Sequence, residues 1–291
     1  MIRGELQGEG GAVMASLADT PIVSIGEVVS LWRYPIKSMM GEELNSTHLT
    51  KRGVLGDRAY ALIDPDTGVI ASAKNPKKWP NLFFCRAAFV EPPSPGKILP
   101  PVRITLPDGT TVTSEQRDLS SILSDAIGRD VQFATIAPQD PSMEEYWPDM
   151  EGLDHRDTVT DEKMPPGTFF DLSVMHVLTT ATIDRLRELY PEGRFEVRRF
   201  RPNTVVKMAS DEKDFVENTW LDRILAIGGE ARIRVTRPCP RCVMTTLPQG
   251  DLPKDSGILR TAARHNNVNV GVYGEVLTEG KIRRGNPVRL E

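Results

Sequence analysis

The amino-acid sequence predicts a β-rich, mixed α+β fold, either two subdomains or one large β-rich domain, since 291 residues exceed the usual single-domain size. Three observations lead there. Segments that alternate apolar and polar residues, rich in β-branched and aromatic side chains, recur from Ile22 to the C-terminal end. Helical spacing appears in two short segments, Leu119–Ile127 and Ala181–Tyr190. Between the halves, 138–167 carries prolines at 138, 141, 148, 165 and 166 and many acids, and reads as a linker or lid.

Taken in order, Ile22–Tyr34 is a strand, and the proline and glycine of Pro35–Gly41 (PIKSMMG) force a turn with Lys37 and Ser38 at its tip. A lysine beside a hydroxyl and free amides can hold a phosphate. Gly53–Asp64 (GVLGDRAYALID) enters a second strand through Asp57 and Arg58, where Arg58 pairs with its neighbour or projects toward an anion. Ser72–Pro76 and Trp79-Pro80 mark a loop. Val102–Thr113 is a hairpin about Pro-Asp-Gly, and Leu119–Ile127 is an amphipathic helix stopped by Gly128. Asp154, His155, Arg156 and Asp157 read as a solvated charge cluster.

In the second half, Phe169–Leu178 is strand-like and carries Asp171, Ser173 and His176; Thr180 caps the helix Ala181–Tyr190. His176 alternates into an apolar run and reads as a satisfied core histidine. Arg201-Pro202-Asn203 turns into a strand, where Arg201 can fork onto phosphate and Asn203 can face a heterocycle edge. Ala231–Val235 is a short strand, after which Pro238 and Pro240 forbid ladder pairing and leave the thiols of Cys239 and Cys242 at a strand end. Val268–Val276 is a strand and Gly280–Leu290 a closing hairpin with its proline at the turn.

The stretch Arg237–Thr246 (RPCPRCVMTT) holds two of the three cysteines in a Cys-x-x-Cys spacing. Arg237 and Arg241 flank them and are expected to lower the thiol pKa. A structural zinc site lacks two ligands, because Cys85 is the remaining cysteine and the four histidines form no His-x-x-x-His pair. A redox dithiol wants a helix start, which VMTTLPQGDLP does not offer. Two buried thiols filling a core stay open as a reading.

Composition narrows the class. Apolar content of 39% and charged content of 26% are those of a soluble globular chain, and a net charge of −4 gives no reason to expect nucleic acid. Basic character is local, at Arg194, Arg198, Arg199 and Arg201. An odd cysteine count points to a reducing compartment, no stretch approaches a membrane span, and the opening lacks a signal-peptide pattern. A cytoplasmic protein is expected, with residues 1–21 a disordered extension.

The order WRYPIKS, GDRAYALID, FRPNTVV, RPCPRCVMTT and GNPVRL resembles proteins with a MOSC domain and its N-terminal β-barrel partner, among them the mitochondrial amidoxime-reducing component and its bacterial relatives. The resemblance covers about residues 25 to 290. It implies an N-terminal MOSC-type β-barrel subdomain at 22–137, packed on a MOSC β-barrel domain at 168–291, with 138–167 between them. It also implies a molybdenum cofactor (molybdopterin) and reduction of small N-hydroxylated compounds such as amidoximes and hydroxylamines. By the same resemblance Cys242 is the thiolate ligand of molybdenum and the catalytic residue. Lys37, Ser38, Arg58, Asp171, Ser173, Arg201, Asn203, Thr245 and Thr246 are implied at the cofactor. Leu172 stands where relatives have a hydroxyl residue, and Cys239 matches a non-ligand cysteine. Three cysteines cannot hold a four-cysteine iron–sulfur cluster, so a separate ferredoxin- or flavoprotein-type electron donor is implied. The competing readings are a sulfur or cofactor carrier of the MOSC sulfurase type, without that family's pyridoxal-phosphate domain, and a metal-free binding or detoxification module.

Overall fold

The computed structural model describes residues Ser24–Glu291; the expected N-terminal extension and the first two residues of the opening strand lie outside them. The chain runs β1 (Ser24–Arg33), β2 (Glu42–Leu44), β3 (Ser46–Thr50), β4 (Gly53–Val54), β5 (Ala61–Ile63), β6 (Arg86–Phe89), β7 (Val102–Thr105) and β8 (Thr111–Thr113). Helix α1 (Leu119–Ile127), β9 (Gln132–Ala134), β10 (Ser142–Trp147) and β11 (Thr158–Lys163) follow. The second half holds β12 (Met175–Thr179), α2 (Thr180–Leu189), α3 (Val197–Phe200), β13 (Thr204–Met208), β14 (Ile224–Ile227) and β15 (Ala231–Pro240). It closes with α4 (Gly257–Asn266), β16 (Asn269–Thr278), β17 (Gly280–Arg283) and β18 (Pro287–Leu290).

Seven strands form a closed barrel in the order β13-β12-β16-β15-β14-β18-β1, the β1–β13 pairing joining the ends, and β2 adds on β1. Closure removes the free edges that such a sheet would otherwise expose. The pairing is antiparallel except between β12 and β13, where α2 and α3 supply the crossover a parallel pair requires. Val28, Leu31, Val177, Val206, Leu225, Ile233, Val272 and Val288 fill the core, each at an inward position of its strand. The opening strand therefore belongs in space to the barrel built by the second half. The turn after β1 and the segments from β5 through α1 make a separate core of Ile36, Met39, Trp79, Leu82, Ile104 and Leu123 under the sheet β6-β7-β8. The hairpin about Pro-Asp-Gly forms as expected, and α1 ends at Gly128 with φ +78°, the left-handed stop that glycine permits.

Four local expectations are corrected. The segment 138–167 is not loop throughout: β10 and β11, six residues each, pair antiparallel along their whole length, and their acids (SMEEYW, TVTDEK) mask the alternation. Helix α2 is capped by Thr179, whose hydroxyl accepts the Thr182 amide at 3.1 Å, one residue earlier than expected. Strand β15 continues through Pro238 to Pro240, because shifts in its register against β16 absorb the missing amides, so Cys239 sits in the strand and Cys242 just beyond it. The last two strands are not a hairpin: β17 pairs with β3, while β18 lies between β1 and β14.

His176 is a satisfied core residue, its Nε2 lying 3.0 Å from the Val270 carbonyl. Burial, aided by the nearby Arg241 charge, pushes its pKa down from 6.5 to about 3. The unfolded chain binds a proton there below pH 6.5 while the folded chain does not until about 3, so this contribution to stability is present above 6.5 and lost as pH falls through the window. Urea midpoints measured from pH 7 down to 4 should fall, and His176→Gln should flatten that slope. Gly271 packs against the same ring: with φ +83°, an added Cβ would lie 2.4 Å from His176 Nε2. Gly271→Ala should therefore cost about 2 kcal/mol or more in thermal or urea unfolding.

Candidate functional site

A cavity of about 420 Å³ opens where the barrel meets the N-terminal unit. Backbone strain marks it. Of the seven non-glycine residues at positive φ among the described residues, four line this cavity: Ser38, Arg58, Arg201 and Val268. Such conformations cost about 1–3 kcal/mol each and collect where function constrains the chain. For the β-branched Val268 the left-handed region is a marked outlier. The turn expected to display Lys37 and Ser38 at an exposed tip instead buries both, at 4% exposure each. The Lys37 amide bonds the Tyr60 carbonyl at 2.9 Å, and the Ser38 hydroxyl accepts the Ala73 amide at 3.1 Å.

A chain of alternating charges runs along one wall. Lys37 Nζ bonds Asp171 Oδ1 and the Phe169 carbonyl; Lys74 Nζ lies 3.4 Å from Asp171 Oδ2 and 2.9 Å from Glu145 Oε2. Burial raises the Asp171 pKa, but the two lysines outweigh it and hold the carboxyl well below the usual carboxylate range. Lys74 is likewise desolvated, yet Asp171 and Glu145 keep it firmly protonated. Sequence reasoning missed Lys74 and Glu145. Lys74 sat in a segment legible only as a loop, and Glu145 in one read as a linker.

The opposite wall is built on Tyr34. The guanidinium carbons of Arg201 and Arg58 lie 4.1 and 4.5 Å from its ring centroid, cation–π contacts to one phenol. Arg58 pairs with the fully buried Asp57, which also accepts the Tyr34 amide at 2.7 Å and the Asn203 side chain at 3.0 Å. Asn203 Oδ1 in turn accepts the His176 amide at 3.1 Å, so this amide serves the framework of the wall. Arg201 donates to the Met39 carbonyl at 2.7 Å and has no carboxylate partner among the described residues. Burial, followed by the neighbouring Arg58, lowers its pKa to about 10.

Cys242 lines the cavity, half-buried, at the start of a 3-10 turn, Val243–Thr246. The expectation that flanking arginines lower its pKa is corrected. Burial is the largest effect and pushes the thiol up to about 11; the Glu145 charge adds to it, and Lys74 and Arg241 oppose it without prevailing. Arg237 is exposed. Arg241 instead donates to Cys239 Sγ at 2.6 Å and to the Phe200 carbonyl at 2.9 Å, while its buried Nε has no partner among the described residues. All three cysteines are free thiols.

The structure thus brings Lys37, Ser38, Arg58, Asp171, Ser173, Arg201, Asn203 and Cys242 to the lining of one cavity. Ser173 donates to the Gly274 carbonyl at 2.8 Å, and Leu172 is 43% exposed at the rim. Thr245 and Thr246 are not brought there. Both are buried, with hydroxyls bonded back to the carbonyls of Cys242 and Val243. Asp154 and His155 stay exposed as expected, although they reach the cavity mouth. The lining suits an anion carrying a soft-metal end: desolvated cations in excess of acids, and one thiol. If Asp57 anchors the wall, Asp57→Asn leaves the largely desolvated Arg58 without its paired carboxylate and should cost about 3 kcal/mol in urea unfolding. A cost under about 1 kcal/mol would assign the anchoring elsewhere.

The family model described as the MOSC N-terminal beta barrel domain matches residues 25–127, and that of the MOSC domain matches 167–289. The chain is 25% identical over 255 residues to "Mitochondrial amidoxime reducing component 2" of Rattus norvegicus, covering 81% of this chain and 69% of that protein. It is 23% identical to the Homo sapiens protein of that name, covering 77% and 67%. Among solved structures, the YUAD protein from Bacillus subtilis aligns over 91% of this chain and 94% of its own at 10% identity, with a TM-score of 0.42. YiiM from Geobacillus stearothermophilus aligns over 46% and 67% at 21% identity, with a TM-score of 0.30. With both family models matched in order along one β-rich chain, the protein belongs to the MOSC-domain proteins that carry the N-terminal MOSC β-barrel domain, and is similar to the mitochondrial amidoxime reducing components.

Proposed function

We propose that the cavity holds a molybdenum–pterin cofactor and that the protein reduces small N-hydroxylated compounds with electrons from a separate ferredoxin- or flavoprotein-type donor, in the cytoplasm. One observation carries the reading: Arg201 is 8% exposed, lines the cavity that Cys242 also lines, and has no carboxylate partner among the described residues. A desolvated guanidinium without a counter-ion is costly, and an anionic ligand removes that cost.

The residues fit such a group. Lys37, Arg58 and Arg201 would neutralise its phosphate, with Arg201 and the partnerless Arg241 Nε still able to donate. Cys242 would bind the metal as thiolate. Its free pKa of about 11 is no obstacle, because a metal's charge removes a coordinating thiol's proton. Asp171 fixes the ammonium groups of Lys37 and Lys74 and so sets where the wall is positive. Among the described residues no cluster of three or more His, Cys, Asp or Glu side chains is placed to hold a metal ion, so a metal here brings ligand atoms of its own. The bound cofactor supplies two-electron transfer to a nitrogen–oxygen bond. Trp147, His155 and Leu172 at the mouth would meet the substrate.

Elemental analysis of protein expressed with molybdate should give close to one molybdenum per chain. Cys242→Ser should lose the metal or alter its absorption spectrum, and Arg201→Ala should reduce retention roughly tenfold. The loaded wild type should reduce an amidoxime with a chemical electron donor. A folded, metal-loaded protein without turnover would sink the reductase reading, and folded protein without molybdenum from a cofactor-competent host would favour the sulfur-carrier or metal-free reading.

A further inference from the structure

A second cavity, of about 570 Å³, lies on the reverse face of the wall that carries Cys242. Strand β10 divides the two: Glu145 and Trp147 face the first cavity, Tyr146 and Pro148 the second, as alternation along a strand requires. The turn after Cys242 does the same, with Met244 toward the first cavity and Val243 and Thr246 toward the second. This gives Thr246 a place that the cofactor reading does not.

The second lining differs in kind. Trp79, Phe83, Phe84, Met150 and Leu247 give it an apolar body, and Phe84 remains 38% exposed at its edge. Its charged lining residues are two lysines, Lys77 and Lys254, both exposed, and no carboxylate lines it. Lys77 sits over the Tyr146 ring at 3.9 Å, with the exposed Asp157 3.6 Å away, a solvent-screened pairing that leaves it free to turn to a better anion. The volume falls in the range of about 300–1,000 Å³ typical of small-molecule sites, where aromatic walls take the body and a few polar groups fix one end.

We propose that this cavity is a second ligand site, for a small carboxylate with an aromatic or branched apolar body. The body packs against Trp79, Phe83 and Phe84, and the carboxylate meets Lys77 and Lys254. The ligand's floor includes Val243, peptide-bonded to Cys242. This site does not depend on the cofactor assignment, and its test needs no metal.

The test is calorimetric titration of the full metal-free chain with naphthoate and with the neutral naphthylmethanol. One saturable site is expected, with naphthoate bound at least about fivefold tighter than the alcohol. Lys254→Met should erase most of that preference, and Phe84→Asp should weaken naphthoate by about tenfold or more. Phe84 and Lys254 are exposed, so both variants should fold, which circular dichroism checks. Arg201→Ala should leave naphthoate binding unchanged. Loss of binding in Arg201→Ala with retention in Phe84→Asp would place naphthoate in the first cavity and overturn the proposal. Equal affinity for acid and alcohol, or no saturable binding at millimolar concentration, would overturn it too.

Discussion

The buried carboxylate of Asp57 joins parts of the chain that no local rule would join. It accepts a hydrogen bond from the Tyr34 amide, 23 residues away, and another from the Asn203 side chain, 146 residues away, while neutralising Arg58 beside it. Through Asn203 the bond reaches the start of β12, because Asn203 Oδ1 accepts the His176 amide. One wholly buried side chain therefore fixes the turn after β1, the Arg58 corner and the entrance to β13. Without its charge, Arg58 and Arg201 would share the Tyr34 ring with no anion between them. Removing one member of a buried charged set is far more damaging than the net worth of the set suggests.

The barrel explains why these parts meet. Closure of β1 on β13 lays Trp32 beside Asn203, whose carbonyl accepts the Trp32 amide at 2.9 Å. The two residues that follow β1 are then carried over the end of β13, which puts the Tyr34 ring under Arg201. The parallel β12–β13 pair needs the α2–α3 crossover, and that crossover ends in the left-handed Arg201. The strain at Arg201 and at Ser38 is thus held by strand pairing on both sides. A wall fixed in this way presents its charges before any ligand arrives, so little reorganisation is required on binding.

Charge is distributed unevenly over the molecule, and the unevenness is informative. Away from the cavity lining, Arg194, Arg198, Glu196 and Asp251 form a partly exposed ion-pair network whose members satisfy one another. These account for much of the arginine cluster conspicuous in the sequence, and exposed pairs of this sort contribute little. Arg199, from the same run, spends its guanidinium on the carbonyls of Arg194, Thr245, Leu247 and Pro253, holding the Cys242 turn against α3. Arg201 alone of the four turns to the cavity. Residue type was the same at all four positions; backbone conformation separated them.

The sequence by itself determined the strand-forming segments, the Pro-Asp-Gly hairpin, the α1 helix with its glycine stop, and the motifs that meet at the cavity. Those features rest on short-range rules, on periodicity and on turn chemistry, which a linear reading contains. It also read His176 as buried and satisfied, although the strand face it occupies, opposite the barrel core and against Val270 and the cavity, was decided by the fold. What it misjudged depended on partners far along the chain. The β10–β11 hairpin was hidden because Glu145 is buried by pairing with Lys74, 71 residues earlier. The Cys242 thiol is raised rather than lowered because desolvation outweighs the charges beside it, and desolvation is a property of the folded whole. Thr245 and Thr246 turn their hydroxyls inward because a 3-10 turn offers them carbonyls three residues back. Which of two flanking arginines faces a thiol, and which of two closing strands joins which sheet, were settled by long-range packing that spacing along the sequence does not carry.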